Sequence, residues 1–142
     1  MANPPVNPSH QISLDGARTV LDAALTQAAR MGLAFCITVA DPSGEPVTTA
    51  RMDGAPRLSA GIAANKAYSV AGFNGMPTNR WWDMVKDNGP LLHGLTLTPR
   101  LTIFGGGLPI LVDGDLVGAI GVSGGSAEQD TEVAAAGAAA LG

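Results

Sequence analysis

The sequence predicts an α+β domain, an antiparallel sheet of about five strands with helices packed on it. Three observations carry this. Residues 14–31 repeat apolar side chains at helical spacing. Residues 109–112 and 116–122 are apolar runs joined by Asp113-Gly114, the dipeptide that best tolerates positive φ in a two-residue hairpin loop. Along the chain the pattern reads helix, strand, strand, helix, irregular segment, three strands and a closing helix, within a length usual for one domain.

Each element has its own warrant. Residues 1–10 hold three prolines and no periodicity, so they read as a mobile arm ahead of a single domain over residues 11–142. Ser13 suits the N-cap of a helix over Leu14–Met31, where Leu14, Ala17, Val20, Leu21, Ala24, Leu25 and Ala28 share one face; Gly32 ends it. Residues 34–41 form a β-branched apolar run. Pro42-Ser43-Gly44 turns the chain, and Pro46–Arg51 returns as a second strand. In residues 58–73, Leu58, Ile62, Ala63, Lys66, Ala67 and Val70 keep helical register, which sets Lys66 in a stripe of apolar and small residues. Residues 73–98 break the pattern with Gly75, Pro77, Gly89, Pro90 and Gly94. Within them an amphipathic stretch, 78–86, carries Trp81 and Trp82, which could line a pocket for a ring-shaped ligand but read better as interface anchors. Residues 101–104 are expected to be a central strand leading into the hairpin, and residues 127–141 the closing helix.

Composition excludes several classes of function. The formal charge is −4 and no Lys/Arg cluster exists to grip phosphates, so nucleic acid is not an expected partner. No apolar run approaches the roughly 18 residues of a membrane span, and the first residues lack the apolar core of a secretion signal. These features lead us to expect a soluble, cytoplasmic chain. The one cysteine, Cys36, lies in the apolar run AFCITVA and reads as a buried thiol. With 19 glycines and only 14% charged residues the surface is poor in charge, which predicts that part of it is covered by further copies of the chain.

The stretch 102–130, TIFGGGLPILVDGDLVGAIGVSGGSAEQD, concentrates the candidate chemistry. Gly105, Gly106 and Gly107 precede the hairpin and Gly124 and Gly125 follow it, just before a polar run that opens a helix. Such glycines admit close backbone approach to a ligand, and a helix N-terminus adds a positive dipole end. A pocket of Lys66, Gly105 to Pro109 and Gly124 to Asp130 is therefore expected. Lys66, desolvated on its stripe, has the chemistry of an acid/base or a carbonyl-capturing amine, or else of an ion pair to Asp53 or Asp130. Arg51 can pair a carboxylate bidentately, Asp53 can cap the turn after it, and Asp130 can complement the helix dipole or act as a base. His10 and His93 are the only imidazoles, so no two-histidine zinc motif exists, although one histidine is enough for axial ligation of haem. The GGGLP run lacks the Lys-Ser/Thr of a P-loop and precedes a strand, which argues against nucleotide binding.

Four motifs in order, RMDGA at 51–55, NKAYSVAGF at 65–73, MPT at 76–78 and the hairpin with its glycine flanks, resemble the GlcG/HbpS-like family. Its members are often called haem-degrading domains, and it includes the C-terminal domain of PduO-type adenosyltransferases. The resemblance covers about residues 11 to 142. It implies a profilin-like or PAS-like layout, symmetric oligomers in some members, haem as a possible cofactor with ligands that differ between members, for which His93, and after it His10, are this chain's candidates, and a pocket position for Lys66. Two functions follow as expectations. One is a small-ligand-binding protein, with haem as the ligand the resemblance suggests. The other is a small-molecule catabolic enzyme, a lyase, isomerase or hydrolase. In it Lys66, Asp130 and Asp53 would move protons on a carboxylate or carbonyl substrate that Arg51 anchors between Gly-rich walls.

Overall fold

The computed structural model describes residues 3–142. Of the expected arm, residues 1 and 2 lie outside the described residues, and residues 3–10 are exposed coil. Ser13 caps helix α1 (Leu14–Met31) by accepting the Gly16 N–H at 3.0 Å, and Gly32 closes it in the left-handed conformation. The buried face of α1 is Ala17, Val20, Leu21, Ala24 and Ala28; Leu14, expected on that face, is exposed at the first turn.

Strands β1 (Cys36–Ala40) and β2 (Pro46–Arg51) form the first hairpin, and helix α2 (Leu58–Gly72) follows. Residues 73–98, expected to be largely irregular, hold a 3-10 turn at Thr78–Arg80, helix α3 (Trp81–Val85) and helix α4 (Gly89–Leu95). The start of α4 was legible. Asn88 caps it by accepting the Leu91 N–H at 3.1 Å, and Pro90 sits in the first turn, where its missing N–H costs nothing. Strands β3 (Gly107–Val112) and β4 (Asp115–Ser123) make the second hairpin, with φ of 51° at Asp113 and 83° at Gly114, and helix α5 (Ala127–Ala138) ends the fold.

The sheet has four strands in the order β2-β1-β4-β3, all pairs antiparallel, rather than about five. The expected strand at residues 101–104 is the difference. β4 already has β1 on one edge and β3 on the other. Residues 101–104 are tied to α2 instead, with the Thr102 N–H donating to Ser69 Oγ at 2.8 Å. Pairing resumes one residue before β3, where the Val122 N–H donates to the Gly106 carbonyl at 2.9 Å.

Helices cover both faces of the sheet. α1 and α5 pack on the face that carries Ile37, Val39, Ile110, Ile120 and Val122, which forms the main core. α2 packs on the opposite face through Ala67, Val70 and Ala71, against Ala40 and Ala119. The approach of α2 is close because Gly121 has no side chain: a Cβ there would collide with the Ala63 carbonyl oxygen and come within 2.6 Å of the Ala67 nitrogen. This contact sets Lys66, one residue before Ala67, directly over the end of β4.

Candidate functional site: a cleft backed by a buried lysine

Lys66 is 0% exposed. Its stem crosses the end of the sheet, and its Nζ donates to the Val122 carbonyl at 2.8 Å and to Asp130 Oδ2 at 2.8 Å. Asp130 is itself buried, in the first turn of α5, and its Oδ1 accepts the Gly125 N–H at 2.9 Å. The ion pair thus joins α2, the end of β4, the Gly124-Gly125 turn and α5. Of the two partners the sequence offered Lys66, the fold selects Asp130. Burial pushes the Lys66 ammonium below its ordinary lysine value, and the hydrogen bond and charge of Asp130 push part of the way back.

The triple glycine wraps this pair. Gly106 has φ of 128°, and a Cβ there would stand 2.6 Å from Lys66 Nζ and 2.9 Å from Asp130 Cβ, so only glycine fits. Next to it, the Gly107 N–H donates to the buried Thr78 Oγ1 at 2.9 Å. The expected grouping of Lys66 with Gly105, Gly106, Gly107, Gly124, Gly125 and Asp130 is therefore present in space. The group forms a packed wall; the open space lies on its outer side.

That space is a cleft of about 740 Å³ lined by Asn79, Trp82, Ile103, Phe104, Gly105, Ala127, Glu128 and Thr131. Trp82 and Phe104 are 54% and 51% exposed, and they give the cleft two aromatic walls. The Phe104 ring separates the cleft from the lysine, with Lys66 Nζ 5.0 Å from its centroid. The cleft's far side is the N-terminus of α5, which Ser126 and Gln129 cap reciprocally. The tryptophan pair divides: Trp81 is buried with its ring centroid 4.7 Å from that of Phe73, while Trp82 faces the cleft.

The other expected site residues stand elsewhere. Arg51 is exposed at the end of β2 and pairs in register with Cys36, a buried thiol whose pKa burial pushes up. Asp53 is exposed in the turn that follows. Pro109 lies along the edge strand β3, packed near Gly75. His93 is exposed on α4, and His10 bonds Asp115 through Nδ1 at 3.1 Å, both outside the cleft lining. Among the described residues no group of three or more His, Cys, Asp or Glu side chains could hold a metal ion, and no helix is long and apolar enough to cross a membrane. Sequence reasoning did not pick out Ile103, Phe104, Asn79 or Thr131. The one available signal was an aromatic residue set immediately before three glycines.

Comparison with known proteins bears on the family and the fold. An uncharacterised 15.0 kDa protein from the dhaT-dhaS intergenic region of Citrobacter freundii is 38% identical over 130 residues, which are 88% of this chain and 90% of that one. The crystal structure of Klebsiella pneumoniae protein ORFY superposes with a TM-score of 0.91 at 32% identity, covering 99% of this chain and 97% of the other. A crystal structure of a PduOC:heme complex superposes with a TM-score of 0.83 at 31% identity, over 92% and 95% of the two chains. The model of the haem degrading protein HbpS-like family matches residues 12–139, nearly the whole of the fold just described, and the chain belongs to that family.

Proposed function

We propose that the chain is a small-ligand-binding protein that takes a flat, largely apolar molecule, porphyrin-like in shape, between Trp82 and Phe104. The cleft itself carries the reading: its volume of about 740 Å³ lies within the range of small-molecule sites, and two half-exposed aromatic rings with Ile103 supply apolar walls. Such exposed rings are costly unless something covers them. The structural similarity to a PduOC:heme complex adds a precedent for haem.

The walls suit the ring of haem better than they suit its iron. Axial ligation uses His, Cys, Met or Tyr, and none of these lines the cleft. His93 and His10 are placed outside it. Binding through ring stacking is therefore the reading, with Asn79 and Thr131 beside the site for polar edges of the ligand. Trp82 holds one face and Phe104 the other, and the Lys66–Asp130 pair keeps the wall behind Phe104 in place. Self-association belongs to the same proposal, because Leu58, Leu97 and Met84 add exposed apolar surface outside the cleft.

Titration with hemin and with iron-free protoporphyrin tests it. Both should bind saturably and quench tryptophan emission, Trp82→Ala should weaken both by roughly tenfold or more, the loss of one good stacking contact, and His93→Ala should change neither. Binding of hemin alone, abolished by His93→Ala, would replace stacking with iron ligation. No saturable binding of either compound would remove the porphyrin reading.

A further inference from the structure

We propose that Lys66 is a covalent capture site: its Nζ forms an imine with an aromatic aldehyde or ketone that enters the cleft and displaces the Phe104 ring. This rests on the cleft being a ligand site, and goes beyond it by assigning the amine behind the wall.

Three observations converge on the lysine. First, Nζ has two hydrogen-bond acceptors, Val122 O and Asp130 Oδ2, so its third N–H is left to the face of Phe104, with the ring centroid 5.0 Å from Nζ. A ring face is a weak partner for a buried ammonium. Second, the Phe104 side chain on that side is half-exposed, and rotation of an exposed side chain takes picoseconds to nanoseconds. The backbone need not move, which matters because Gly105, Gly106 and Gly107 are buried and closely packed. Third, a carboxylate stands 2.8 Å from the amine to take its proton, and desolvation favours the neutral amine that such chemistry needs.

The step balances. The Lys66 ammonium gives a proton to Asp130, and the freed lone pair adds to the carbonyl carbon while the C=O π pair moves to oxygen. A proton shifts from nitrogen to that oxygen, giving the carbinolamine. Asp130 then protonates the hydroxyl, water leaves, and a C=N bond forms. The product is an iminium with one N–H, beside an Asp130 that is again a carboxylate. The charge next to Asp130 is the same before and after, so the wall keeps its ion pair. An aromatic carbonyl compound suits the site because Trp82 and Ile103 can hold its ring where Phe104 had been.

The chain has two lysines, which makes the test direct. Lys86 is exposed on the surface beside Asp83, at 3.4 Å, and serves as the internal control. The full-length protein is incubated at neutral pH with 4-carboxybenzaldehyde and cyanoborohydride, which reduces any iminium to a stable secondary amine, and peptides are mapped by mass. Lys66 should be modified in preference to Lys86, because burial lowers its pKa and so raises its share of free amine. Phe104→Ala should speed Lys66 further, Asp130→Asn should slow it, and urea should erase the preference. Modification of Lys86 with Lys66 untouched, or of Lys66 only in Phe104→Ala, overturns the inference. If the aldehyde still quenches tryptophan emission saturably in that case, the cleft reading stands alone; if it does not, the aldehyde gives that reading no support, and the porphyrin titrations decide it.

Discussion

At the scale of single residues, the Lys66–Asp130 pair dominates what the site can tolerate. Both side chains are buried, so removing one partner strands a charge, whereas removing both does not. Lys66→Met alone should destabilise the fold by about 3–5 kcal/mol, and Lys66→Met combined with Asp130→Leu should regain most of that loss, as measured by urea unfolding. A double variant as unstable as the single one would show that packing, and not an uncompensated carboxylate, sets the cost. The position of Lys66 on an apolar helical stripe was legible from the sequence; its partner was not. Asp53 and Asp130 were equal candidates on paper, and the choice depended on where β4 ends relative to α2.

At the scale of elements, the hairpin of β1 and β2 shows a loop held by one carboxylate. Asp41 Oδ1 accepts the Ser43 N–H at 2.8 Å, the Ser43 hydroxyl at 2.6 Å and the Glu45 N–H at 3.2 Å. The Ser43 hydroxyl, above all, holds the Asp41 carboxyl below its ordinary value, with the loop N–H groups adding to it against some desolvation. A depressed carboxylate contributes stability that is fully present above its unfolded pKa and is lost as pH falls through its folded pKa. Asp41→Ala should therefore cost about 1 kcal/mol near neutral pH. That difference from wild type should shrink steadily as unfolding is repeated below about pH 4. A difference independent of pH would mean that the loop does not use the ionised group. Pro42-Ser43-Gly44 marked this turn in the sequence, since such signals act over two or three residues.

At the scale of the whole molecule, the unexplained surface is apolar. Leu58 on α2, Leu97 after α4, and Met84 on α3 are all exposed. Covering them with further copies of the chain predicts a mass above that of the 14.3 kDa monomer in light scattering at micromolar concentration. A Leu97→Lys variant should shift the population toward the monomer if that surface is an interface. A monomeric wild type would leave the ligand cleft as the sole reason for the exposed rings.

What the sequence determined by itself was whatever short-range physics controls. Ser13 and Gly32 bounded α1, Asp113-Gly114 closed the second hairpin, and helical spacing placed α2. The family motifs carried the layout. Tertiary structure decided the rest. Residues 101–104 have the composition of a strand, yet they join no strand of the sheet: the central place beside β4 is taken, the Thr102 N–H bonds Ser69 of α2, and Phe104 is half-exposed. The cleft follows from that displacement, because Trp82, Phe104 and Thr131 belong to three separate segments. Periodicity reports which face of an element is apolar; it carries no information on which distant segments meet in space, and the cleft is made of such a meeting.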